Sequence, residues 1–345
     1  MSFKRLDPQD FLISADSVVG GMWTGGGSTQ TEFYTSSTQE TANSGDYYLD
    51  VYQTGSTLTN AEVQFAVSYG DKFGSGSAQF DSNIKGKSPS SVVYGQIQNI
   101  VLGDETNNFI FSSGTPTKQH IYVLTFDRAR YKGNIFPGTL NLTLTKGSGV
   151  LNLTDNSKDV SVDTFNEAGR VYQLVSGSDG RASDEGVSGQ VAAGMTSVGS
   201  YGLVLPDVGM IVLNASALDL TAGSNGGLNL ATGTSADADD ANPKKLVNAI
   251  VDGASFQINS QENLTSDYVF IRARNGEFNY SENPSFISGS TGEVLYTSFV
   301  NAPQTFVTSI GLYNDNNELL AVAKLSKPLK KDFTKEALVR VKLDF

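Results

Sequence analysis

Apolar residues return at every second position along this chain, in short runs closed by Gly, Pro, Asn or Asp. That period places successive side chains on opposite faces of an extended backbone, so it predicts strands and argues against helices. The run Glu62-Val63-Gln64-Phe65-Ala66-Val67-Ser68-Tyr69 is the clearest case, and residues 47–52 and 120–126 read the same way. Residues 139–145 and 149–154 alternate on either side of a Gly-containing turn, which predicts a hairpin. Residues 170–175, 201–205 and 210–214 continue the series, with Pro206-Asp207 turning the chain between the last two. Charged residues make up only 17% of the 345, while Gly alone numbers 36, a composition of strands and turns rather than of helices. The expectation is an all-β fold of β-sandwich-like domains with long loops and very little helix. Two short helices are predicted, from Pro8 to about Ile13 and from Asn242-Pro243 to Val251, together well under a tenth of the chain.

Composition shifts suggest an amino-terminal arm over 1–30, a first β domain over 31–169, and a second over 170–345 with a long exposed loop at 215–241 inserted in it. The arm carries Phe3 and Phe11 ahead of a glycine-rich hinge at 20–28 that holds Trp23, an arrangement suited to docking on a neighbour. At the other end, 308–313 and 319–325 flank a polar turn. A third strand over 337–345, reached through a basic turn at 327–331, completes an expected three-stranded unit. Val339, Val341, Leu343 and Phe345 then share one face of it.

Whole classes of chemistry are disfavoured. A net charge of −12 repels phosphate backbones and anionic lipid, so neither nucleic acid nor membrane is expected as a partner. No run of 18 apolar residues occurs, and the charged start Lys4-Arg5 does not resemble a secretory leader. With no cysteine and one histidine, thiolate and multi-histidine sites are impossible, and His120 reads as a strand-edge residue. Gly70, Gly74 and Gly76 superficially suggest a phosphate loop, but the stretch 69–77 has no Gly-Lys-Ser/Thr end and no helix is predicted to follow, so a turn is expected. Asp237, Asp239 and Asp240, like Asp315, Asn316, Asn317 and Glu318, lack the calcium-loop order and read as solvated turns. Five Asn-x-Ser/Thr sequons, including Asn279-Tyr280-Ser281, are expected by chance in so Asn-rich a chain. No catalytic residue, metal or cofactor is assigned.

Several segments carry a likeness to known proteins. They are Met1-Ser2-Phe3-Lys4-Arg5-Leu6-Asp7-Pro8, Asn43-Ser44-Gly45-Asp46-Tyr47-Tyr48, 61–69, 74–77, Lys87-Ser88-Pro89-Ser90, Leu102-Gly103-Asp104-Glu105, 127–132 with 136–140, and 201–209. In that order they resemble a virion structural protein of large contractile-tailed phages, the marine cyanobacterial myoviruses especially. The ending, 308–326 and Val339-Arg340-Val341-Lys342-Leu343-Asp344-Phe345, resembles one shared with phage tail and baseplate components. The resemblance implies a non-enzymatic particle component, assembled in the host cytoplasm, in the tail, baseplate or neck. Its expected partners are further copies of itself and other virion proteins. Two alternatives stand beside it. One is a capsid-surface decoration protein or a receptor- or carbohydrate-binding adhesin that uses aromatics such as Tyr47, Tyr48 and Trp23. The other is a tail-borne glycan hydrolase, for which Asp104, Glu105 and Asp127 are the acids nearest the motifs.

Overall fold

The computed structural model describes residues 3–41, 47–77, 88–111, 119–183, 200–222, 226–233 and 241–344. Strands take 45% of the structure and helices 16%. The all-β expectation holds, while the helix content is higher than the sequence suggested. In chain order the strands are β1 (Phe11–Gly21), β2 (Thr29–Gln30), β3 (Tyr34–Thr35), β4 (Tyr48–Tyr52), β5 (Val63–Asp71), β6 (His120–Phe126), β7 (Asn134–Ile135), β8 (Asn141–Lys146), β9 (Gly149–Asp155) and β10 (Thr164–Asn166). They continue as β11 (Gly169–Ser178), β12 (Arg181–Ala182), β13 (Ser200–Leu205), β14 (Met210–Asn214), β15 (Phe256–Gln257), β16 (Asn259–Ala273), β17 (Gln304–Tyr313), β18 (Leu319–Asp332) and β19 (Ala337–Asp344). The α-helices are α1 (Ser37–Thr41), α2 (Pro89–Leu102), α3 (Arg128–Tyr131), α4 (Ala215–Leu218), α5 (Asn242–Gly253) and α6 (Ser298–Asn301).

The chain divides into two units, one of Val18–Glu262 and one made of Met1–Ser17 with Asn263–Phe345. This corrects the expected domains 31–169 and 170–345. A cut at 169 would split a single sheet, because β11 pairs with β9 on one side and β13 on the other.

In the larger unit, strands run in the order β2-β15-β8-β9-β11-β13-β14-β6-β5-β4-β3, and β10 and β12 also pair with β11. The first and last strands of that path are neighbours in sequence, Gln30 ending β2 and Tyr34 opening β3. A link this short spans at most about 14 Å, so the sheet must roll until its two ends meet. Ring contacts agree with the closure: Phe256 of β15 lies 5.5 Å from Phe65 of β5 and 5.8 Å from Phe126 of β6. The sandwich-like form thus comes from one sheet folded over a shared core. Alternate residues of its strands, such as Phe65, Val67, Tyr122, Leu124, Leu142 and Leu144, point into that core together with Leu246, Val247 and Ile250 of α5. The predicted β8–β9 hairpin and β13–β14 pair are both present.

The opposite face of β6, β13 and β14 is also apolar and is covered by α2, through Tyr94, Ile97 and Val101 with Phe109 and Phe111. No helix was expected there. Gly70 is the key to its position: an added Cβ would lie 2.9 Å from the Tyr94 backbone nitrogen, so α2 crosses β5 closer than any side chain allows. The glycine turn is tied to the start of α2 by hydroxyls, Ser88 Oγ donating to Gly74 O at 2.6 Å and Ser90 Oγ to Ser75 O at 3.1 Å.

Two further expectations are corrected. Residues 215–241 are not simply an exposed loop, since Ala215, Leu218, Leu228 and Leu230 are fully buried in the core. The helix predicted at 8–13 is a single 3-10 turn, Pro8–Asp10, after which the chain is extended as β1. Asp10 explains the change. Its carboxylate accepts from Asp7 N at 3.1 Å and from Arg272 Nη2 at 2.7 Å, closing the turn and anchoring it to β16. The backbone N–H of Asp7 and then Arg272 hold this carboxyl below the ordinary aspartate range.

Candidate assembly surface

The unit formed by 1–17 and 263–345 is built without a core of its own. Its buried apolar residues among those described are Val269 and Val341; every other buried apolar residue lies in 18–262. In β19, Val339, Val341 and Leu343 share one face, as predicted, and Val341 pairs with Val269 while Val339 pairs with Ile271. Phe345 lies outside the described residues. The partner strand is β16 and not the β17–β18 hairpin, so the expected three-stranded terminal unit is overturned: the hairpin is a separate two-stranded sheet. The reason lies in β18. The stretch 327–331, read as a basic turn, continues the strand to Asp332, which leaves the following turn to deliver β19 elsewhere.

The other face of β19 carries Arg340, Lys342 and Asp344 beside an exposed Leu338. Arg340 and Lys342 lie over the Tyr268 ring at 5.4 and 5.9 Å, a cation–π arrangement. Ser266 Oγ donates to Asp344 at 2.6 Å, and this bond, with Lys342 Nζ at 3.0 Å, holds the Asp344 carboxyl below its ordinary range.

In the hairpin, Ile310, Leu312, Ala321, Ala323 and Leu325 line one half-buried face, and Ser309, Gly311, Val322 and Lys324 stand exposed on the other. Phe306, Leu319 and Leu320 are exposed as well. At its base sits Lys331, fully buried. Its ammonium donates to Asn279 Oδ1 at 2.7 Å, Asn275 O at 3.0 Å and Asp332 O at 3.1 Å, so all three protons are satisfied by neutral oxygens. Nothing in the sequence marks this lysine out from Lys327 or Lys330 beside it. Asn279, also buried, is thereby withdrawn from its sequon.

The remaining expected residues fall into two groups. Phe3 and Phe11 are exposed in this unit, at 59% and 51%, and Phe3 makes an edge contact with Tyr313 at 5.2 Å. Trp23 is buried in the core of the larger unit instead, its Nε1 donating to Phe256 O at 3.0 Å and Ser28 O at 3.1 Å. Its face is therefore unavailable to a sugar or a neighbour.

Residues weighed for other chemistry are occupied locally. Asp104 caps a turn, accepting from Thr106 Oγ1 at 2.6 Å and from the backbone N–H of Thr106, and these bonds lower its carboxyl. Asp127 caps α3 through Ala129 N at 2.9 Å. His120 Nε2 lies 3.1 Å from Ser216 Oγ. In the 314–318 turn, Asn314 accepts from Asn316 N and Glu318 N, so the polar atoms close the turn on itself. Asp237, Asp239 and Asp240 lie outside the described residues. Among the described residues no group of three or more His, Cys, Asp or Glu could hold a metal, and no helix is long and apolar enough to cross a membrane.

No protein-family model, curated protein or solved structure matches the chain.

Proposed function

We propose that the chain is a structural protein of a contractile-tailed phage virion, acting by self-association and docking in the tail, baseplate or neck. One observation carries the reading: a unit of two sheets with exposed apolar side chains on both strands of its hairpin and only Val269 and Val341 buried among its described apolar residues. Sheets that bury so little in isolation gain their stability from a neighbour, as in obligate assemblies. Of the segments resembling virion proteins, 1–8, 308–326 and 339–345 fall in this unit, and the others fall in 18–262. The test is immunogold labelling of purified particles of the encoding phage, with mass spectrometry of their proteins. Label on the tail or baseplate supports the proposal. Label confined to the capsid surface or a receptor-binding tip favours decoration or adhesion, and absence from the particle refutes all three.

A further inference from the structure

The two long edges of the hairpin differ in a way that selects a partner. β18 carries Lys324, Lys327, Pro328 and Lys330, the residues by which proteins block strand addition, and its register breaks between Val307 and Ser309 where the chain bulges around Pro328. β17 has no charged residue and no proline over 304–313, and among the described residues only β18 pairs with it. An uncharged strand edge beside a blocked one is a template for one more strand. A hairpin of two strands is marginal in water, so that addition is also what its stability lacks.

Resting on the self-association reading above, we propose that β17 of one copy pairs antiparallel with β17 of a second copy across a two-fold axis near Ser309, giving a four-stranded sheet in the order β18-β17-β17-β18. Charge selects both the partner and the direction. The hairpin is acidic at its turn, Asp315 and Glu318, and basic towards its base, Lys324, Lys327 and Lys330. Antiparallel pairing sets the acidic turn of each copy about two strand spacings, roughly 10 Å, from the lysine-bearing end of the other, whereas parallel pairing sets acid against acid. The unit as a whole carries 11 Lys and Arg against 12 Asp and Glu, net −1, so −11 of the chain's −12 falls on 18–262. Copies meeting through the larger unit oppose two strongly negative surfaces. Copies meeting through β17 oppose none. In the register centred on Ser309, Phe306 stands opposite Leu312 of the second copy, an aromatic–aliphatic cross-strand pair.

The chain has no cysteine, which makes the test clean. Light scattering and sedimentation of the full chain at several concentrations are expected to show a dimer or an even-numbered assembly. Ser309→Lys and Ser309→Glu each place like charges opposite one another at the axis and are expected to weaken association at least tenfold, with unchanged circular dichroism. Mixing the two variants is expected to restore it. Ser309→Cys is expected to form a chain-to-chain disulfide under mild oxidation, and Asn316→Cys, at the turn tip, is not. A monomeric wild type, an assembly indifferent to Ser309→Lys, or equally fast cross-linking at Asn316 overturns the pairing. Particle labelling with a pairing that fails these tests leaves the virion reading intact. Pairing in a chain absent from particles refutes that reading alone.

Discussion

Replacing Trp23 by Ala removes the ring on which the closure of the rolled sheet centres. Trp23 contacts Phe256 at 5.1 Å, Phe65 at 6.0 Å and Phe126 at 6.1 Å, so it touches strands from both ends of the sheet path. Truncating a buried tryptophan costs about 3–5 kcal/mol in transfer and cavity terms. The loss of the indole N–H leaves the Phe256 and Ser28 carbonyls without that donor, adding about 1 kcal/mol. The expected total is about 4–6 kcal/mol, a large share of the 5–15 kcal/mol that a domain of ordinary stability possesses. Urea unfolding followed by far-ultraviolet circular dichroism measures it. In the wild type the same transition is read by fluorescence, because Trp23 is the only tryptophan. Phe11→Ala serves as the contrast: half-exposed, it is expected to change stability by no more than about 0.5 kcal/mol. A Trp23→Ala cost below about 1 kcal/mol, or a Phe11→Ala cost equal to it, refutes the assignment of Trp23 to the core.

Other perturbations follow from particular contacts. Lys331→Met leaves Asn279 Oδ1 and Asn275 O without their ammonium donor, and hydrogen exchange at 275–279 is expected to accelerate by tenfold or more, consistent with about 1–3 kcal/mol per unsatisfied buried group. Unchanged protection there refutes the anchoring role. Burial pushes the Asp207 carboxyl up, but side-chain and backbone hydrogen bonds from Arg170 outweigh it and hold the carboxyl below its ordinary range. The charge therefore contributes stability above about pH 4, where an unfolded aspartate is ionised, and that contribution disappears as pH falls through the lower folded value. Melting temperatures measured from pH 2 to 6 should fall less steeply for Asp207→Asn; an identical acid limb refutes the pairing's importance. Gly209 has φ +65, and a Cβ there would lie 2.3 Å from the Tyr131 ring, which donates through its hydroxyl to Val208 O. Gly209→Ala is expected to cost at least about 2 kcal/mol in a denaturation curve, strain and displaced ring together.

How much of this was legible in the sequence varies with how local the cause is. β6, the β8–β9 hairpin, the β13–β14 pair and α5 could be read directly, since period two, a turn glycine or a Pro in the first helical turn acts within a few positions. α2 could not, because Pro89–Leu102 is rich in Ser, Val and Ile and holds Gly95, residues that favour strands or turns. Its end signals were present all the same: Ser88-Pro89 at the start, and Gly103 with φ +68 at the finish. Tertiary burial of Tyr94, Ile97 and Val101 decides the helix. For β19, alternation showed the apolar face correctly but not the partner strand, since the pairing with β16 joins distant segments. The exposed apolar character of the unit had no signature at all. Leu319, Leu320 and Val322 cluster like core residues, and only the fold shows that nothing in the described chain covers them.

The short link between β2 and β3 has a consequence for the order in which the larger unit forms. During synthesis, Thr29–Gln30 and Tyr34–Thr35 leave the ribosome early, and β3 finds β4 at once, whereas β2 must wait for Phe256–Gln257. Until then the roll stays unbuttoned, with Trp23 and Phe65 facing water. Closing the sheet joins an early segment to a late one, so the roll cannot be completed until the chain through Gln257 is present.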